Sequence, residues 1–178
     1  MKTLHRVLFL VGMWSLLTVG VADDAFSKAF RTSLLKSLDD ASGKLVTLAD
    51  AIPEEKYDWR PMEGVNSVRE ILVHVTETNY SLAERLGAKT PAGIDRHNMG
   101  PAMKSKGGAI AATKDGIAFI RKVLSEIPAE ELLPEVNVFG SNLPKLRVAM
   151  LPEDHAHEHL GQLNAYARMN RIVPPWSK

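Results

Sequence analysis

The chain contains no cysteine. A disulfide framework is therefore excluded, and the fold must stand on its hydrophobic core, with a metal ion as the other available support. An excess of basic charge is missing too: 22 Lys and Arg face 21 Asp and Glu. No basic stripe of the kind that neutralises phosphates exists, so nucleic acid is not an expected partner. Repeats and low-complexity segments are absent. The single apolar run is short, the 16 residues "VLFLVGMWSLLTVGVA", whereas a membrane-spanning helix needs about 20.

What remains is the balance of a globular protein, 178 residues with 45% hydrophobic and 24% charged, enough for one domain with a real core. The apolar run follows the basic start "MKTLHR", and Gly20 and Ala22 suit positions −3 and −1 of a signal-peptidase site. Residues 1–22 are read as a cleaved signal peptide, with a retained anchor as the alternative. Cleavage would leave residues 23–178 (178 − 22 = 156 residues, 20 basic and 21 acidic) as one secreted or periplasmic domain without stable membrane association.

That domain reads as all-α. Phe26, Phe30, Leu34, Leu38, Ala41, Leu45, Leu48 and Ile52 recur at steps of three and four, which predicts a long amphipathic helix from Asp24 to about Ala51, stopped by Pro53. Ser67-Val68-Arg69-Glu70 is a capping box that opens a second helix to about Leu86, with Ile71, Val75, Thr78, Leu82 and Leu86 inward. A long polar connection follows. Ile110, Thr113, Ile117, Ile120, Leu124 and Ile127 mark a third helix. "EVNVF" reads as one short strand within turn-forming residues, before a last helix over about Arg147–Asn170. Four such helices predict an antiparallel four-helix bundle, an architecture that places metal sites on facing helices.

Three of the six histidines fall within "HAHEH", residues 155–159. The inward stripe of the last helix is expected to read Val148, Leu151, His155, His159, Gln162, Tyr166 and Met169. His155 and His159, four apart, stand one above the other and can bind one metal through both imidazoles. His157 lies about 200° around from His155 and should face elsewhere. His74, on the second helix, can supply a third nitrogen from across the bundle; a satisfied core histidine is the alternative. His5 belongs to the leader and His97 to the polar loop. Glu77 and Glu158 lie within a turn of these histidines. Each reads as a fourth ligand, an outer-shell partner, a general base, or simply an exposed helix carboxylate, the last being favoured. Gln162 is placed for a hydrogen bond near the site, and Gly161 for close approach of a neighbouring helix. Tyr57, Trp59 and Trp176 read as structural.

"YDWRPMEGVNSVREILVHV" followed far downstream by "HAHEHLGQLNAYARMNRIVPP" resembles the DinB-like family of metal-binding four-helix bundles, over about residues 25–176. The family has a histidine in its second helix after a Ser-Val start, matched by His74. It has a His-x-x-x-His pair followed by x-Gly-Gln in its last helix, matched by His155 and His159 before Leu160-Gly161-Gln162. The resemblance implies a divalent metal, zinc or nickel by ligand type, held by His74, His155 and His159. It speaks for the metal site more than for any one reaction; the open site is read as that of a metal-dependent enzyme of hydrolase or transferase type acting on a small molecule, with room for a homodimer. A non-catalytic metal-binding or structural bundle is the competing reading. The sequence departs from the family twice. Pro152, three residues before His155, is expected to kink or restart the helix. A signal peptide is foreign to a family whose known activities mostly use the thiols of the cytoplasm.

Overall fold

The computed structural model describes the backbone of residues 2–177 and the side chains of residues 25–177. The leader assigned to residues 1–22 thus falls outside the described side chains. Two units are distinguished, Met1–Ser33 and Leu34–Lys178. In the first, Phe26 and Phe30 stack on one helical face with centroids 6.5 Å apart. Phe26 is 73% exposed, so it does not serve the core as its periodicity suggests.

The second unit takes its order from four helices. Helix α1 (Lys2–Ala51) extends N-terminally past Asp24, where its amphipathic pattern begins, and it contributes Leu38, Leu45 and Leu48 to the core. Pro53 cannot donate to the preceding turn, and the helix ends there. Helix α2 (Val68–Leu86) carries the expected capping box: the Ser67 hydroxyl accepts from the Glu70 amide while Glu70 accepts from the Ser67 amide. Its C-terminus turns at Gly87, φ +108°, a left-handed position that suits glycine, and the Ala88 amide donates to Ala83. Helix α3 (Lys106–Glu126) is capped by Ser105.

Two buried clusters fill the bundle. Leu45, Leu48, Ile52, Ile71, Leu72, Val75 and Leu163 belong to one of them, together with Tyr57. Leu38, Leu82, Leu86, Ile120, Leu124 and Val148 form the second. Each fully buried leucine contributes on the order of 1.5–3 kcal/mol. Close packing of α2 on α3 depends on Gly116, where a methyl group would lie 3.2 Å from Thr76 Cγ2. Gly161 instead has no neighbour within 4 Å of such a position, which corrects the role expected of it. The long connection also joins the core, burying Met99 and Met103.

The single strand expected in "EVNVF" is half of a hairpin. Strand β1 (Glu135–Val138) pairs antiparallel with β2 (Ser141–Pro144), Val138 facing Ser141. The two-residue turn needs positive φ at both positions, found at Phe139 (51°) and Gly140 (87°). Phenylalanine is an unusual occupant of that conformation, and this hid the turn in the sequence. Helix α4 (Lys145–Met169) then runs unbroken through Pro152, so the expected restart does not occur. Its buried face reads Val148, Ala149, Pro152, Ala156, His159, Leu160, Leu163, Tyr166 and Ala167. That stripe lies about one residue from the predicted one. Met169 is 61% exposed rather than inward, and His155 flanks the buried face. On α2, Thr78 and His74 likewise flank a stripe centred on Ile71, Val75 and Leu82. Among the described residues, no helix is long and apolar enough to cross a membrane.

Candidate metal centre

Helices α2 and α4 bring His74, His155 and His159 together, with one ring nitrogen from each within 4.8 Å of the others. The Nε2 atom of His155 lies 3.0 Å from His74 Nε2 and 2.9 Å from His159 Nε2. Two bonds of about 2.0–2.1 Å to one cation allow nitrogens to stand up to about 4 Å apart, so both of these separations suit a shared metal, and the third pair, His74 and His159, lies within 4.8 Å and needs at most a slight closing. The rings are steeply inclined, 68° between His74 and His155 and 84° between His155 and His159. The i,i+4 spacing on α4 sets the second pair, and the unbroken helix through Pro152 preserves it. Because both ligand-bearing faces flank the buried stripes, the cluster grades outward: His159 is buried, His155 half-buried and His74 exposed.

The chemistry of this donor set fits a cation. A neutral imidazole carries one proton on two nitrogens. His155 Nε2 meets two other Nε2 atoms at hydrogen-bonding distance, and one proton can serve only one of them. Its Nδ1 is buried with no hydrogen-bond partner. A positive ion held by His74, His155 and His159 would give each of the three rings a partner for a lone pair. Burial and mutual repulsion disfavour a charge on two of these rings, His155 and His74. Burial, followed by the neighbouring imidazoles of His159 and His74, pushes His155 down to about 3. Burial also lowers His74, aided by His159 and opposed by the carboxylates of Glu77 and Glu158. Those two carboxylates therefore act on His74 electrostatically, although neither joins the cluster itself.

His157 faces elsewhere, with Nδ1 3.0 Å from the Glu153 carboxylate and 3.1 Å from the Glu153 carbonyl. His97 is exposed in the loop after α2. Gln162 hydrogen-bonds the cluster as expected, its Oε1 2.8 Å from His159 Nδ1. Two further residues stand behind the cluster, and neither was given a part in the site by the sequence, where Tyr166 was an inward stripe position and Trp59 structural. The Tyr166 hydroxyl lies 3.1 Å from Gln162 Nε2 and donates to the Asn66 carbonyl at 3.0 Å. The stripe position of Tyr166 placed it inward, but nothing local signals its partner 100 residues away. Trp59 stands edge-on to the Tyr166 ring at 5.4 Å and holds it in place.

Residues 37–163 match the DinB superfamily. The chain belongs to that family. The fold agrees: the crystal structure of a DinB-like protein from Bacillus subtilis superposes with a TM-score of 0.63 at 17% identity, covering 82% of this chain and 97% of that one. No relative among curated proteins matches this chain.

Proposed function

We propose that this protein is a metal-dependent enzyme of hydrolase or transferase type, with a divalent cation held by His74, His155 and His159. The observation that carries this reading is the convergence of three imidazole nitrogens in a cluster whose outermost member is open to solvent. Three imidazoles with further positions open is the pattern of a reactive site, whereas a closed structural site takes four protein ligands. Imidazole donors favour zinc or nickel among the common divalent ions. When bound, such a cation lowers the pKa of a coordinated water or thiol and so supplies a nucleophile near neutral pH. The protein's own part is to hold three rings in register, to keep His155 unprotonated, and to place Glu77 and Glu158 beside His74. From there, either carboxylate can accept the proton that the nucleophile gives up.

The test is metal analysis of protein purified without an affinity tag, alongside His155→Ala, with assays on thiol, ester and amide substrates. Stoichiometric zinc or nickel in the wild type, absent from the variant, and metal-dependent turnover of one substrate class are expected. Absence of metal from both proteins would sink the site. Metal without any turnover would leave a non-catalytic metal-binding bundle.

Export belongs to the same proposal. The apolar run Val7–Ala22 and its small residues support cleavage to a secreted or periplasmic chain. N-terminal sequencing should then begin at Asp23. A chain beginning at Met1 that stays with membranes through a carbonate wash would identify an anchor instead.

A further inference from the structure

The hydrogen bonds behind His159 form a chain with a direction. It ends on the Asn66 main-chain carbonyl, which can only accept. Tyr166, 3.0 Å away, must therefore spend its one hydroxyl proton there. Its oxygen is left as an acceptor and faces Gln162 at 3.1 Å, so the amide must turn its NH2 toward Tyr166. The amide oxygen then points to His159 Nδ1 at 2.8 Å, where it too can only accept. His159 Nδ1 must carry the ring proton, and Nε2, which faces His155 and the centre of the cluster, presents a bare lone pair. Each step follows from the donor and acceptor capacity of the group before it, and the carbonyl at the far end sets the sense of the whole chain.

We propose that Tyr166 and Gln162 are positioning residues that fix His159 in its Nδ1–H tautomer, so that Nε2 is held ready for a metal before any metal arrives. Asn66, the residue before the Ser67 cap of α2, anchors the chain, which therefore spans from α4 to the N-terminus of the helix that carries His74. Tyr166 is 6% exposed and braced by Trp59, which holds its ring where the hydroxyl reaches Asn66. The inference rests on the metal reading of the site for its purpose, while the tautomer control is a property of the metal-free protein.

Long-range 1H–15N correlation spectra of the metal-free protein report the tautomer directly, and titration with zinc reports affinity. The wild type should show His159 protonated at Nδ1. Tyr166→Phe keeps the ring and its contact with Trp59 but frees the Gln162 amide to turn over. It should give a mixture of tautomers and zinc binding weaker by about tenfold, the lower end of what losing an outer hydrogen-bond partner costs a metal site. Gln162→Glu/Tyr166→Phe should restore the Nδ1 proton and the affinity, because a carboxylate accepts with either oxygen. A merely structural tyrosine would not be rescued in this way. An Nε2–H tautomer in the wild type would overturn the proposal. So would unchanged tautomer and affinity in Tyr166→Phe, or a folded double variant that recovers neither. A wild type with the Nδ1–H tautomer but no zinc binding would instead defeat the metal reading and uphold the chain.

Discussion

His155 joins the cluster's two halves, since its Nε2 lies within 3.0 Å of a nitrogen on each of the other rings. Its loss should abolish any metal-dependent rise in melting temperature, and loss of His74 should do the same. His157→Ala should leave the rise intact, because that ring turns toward Glu153. Equal loss in all three variants would point to a diffuse histidine patch. The same residues predict a pH dependence of the metal-free protein. His155 is held near 3 and His74 below its ordinary value when folded, while both return to about 6.5 in the unfolded chain. As pH falls below about 6.5, the unfolded state takes up protons that the folded state refuses, so stability declines progressively toward pH 3. Glu70 and Glu84 are held low by the Ser67 amide and the Thr90 hydroxyl, and they add their own losses only below about 4.5. The interval between about 6.5 and 4.5 therefore reports the histidines. Urea midpoints measured across it should fall, and His155→Gln should flatten the slope; a level profile in the wild type would contradict the burial argument.

At the scale of single elements, two local devices carry separable costs. The Ser67 side chain closes the first turn of α2 and is itself 1% exposed. Ser67→Ala should destabilise the protein by about 1 kcal/mol, the usual cost of losing such a cap, as read by chemical denaturation. The hairpin offers the opposite sign. Phe139 holds φ 51° while 79% exposed, so the strain of a left-handed residue is not repaid by burial. Asparagine tolerates that conformation and precedes glycine in the favoured two-residue turns. Phe139→Asn should raise stability by about 0.5–1 kcal/mol, a typical gain from relieving a turn. An unchanged or lowered denaturation midpoint would show that the Arg85 guanidinium, 6.0 Å from the Phe139 ring, matters more than backbone strain.

Across the whole molecule, a cation bound by His74 and by the α4 pair would tie two helices whose sequence positions differ by 81 residues. It binds only where folding has brought those rings together, so folding gains about 2.7 kcal/mol at a hundredfold excess over Kd. For a chain of this size that corresponds to a rise in melting temperature of about 5–10 °C. Differential scanning calorimetry with and without zinc should show it, and a chelator should reverse it. No shift at saturating zinc would mean that the cluster binds no cation in the folded protein.

The sequence by itself determined the four helices, because each has a period of three to four residues, and two carry a local signal at an end: Pro53 after the first and Ser67 with Glu70 at the start of the second. It also determined the three histidines, since i,i+4 spacing on one helix and a stripe position on another are local properties. Tertiary structure decided what periodicity leaves loose by about one residue, and that small rotation matters here. It moved His74 and His155 from the middle of the buried faces to their flanks, which opens the cluster to solvent while still desolvating His155. Packing alone also chose the partners of the irregular segments, sending Met103 into the core and giving β1 a second strand across a Phe139–Gly140 turn. The bond from Tyr166 to Asn66 was beyond any local pattern. A hydrogen bond between residues so far apart in the chain exists only because the core on either side brings a hydroxyl to a carbonyl, and through Gln162 that one contact sets where His159 carries its proton.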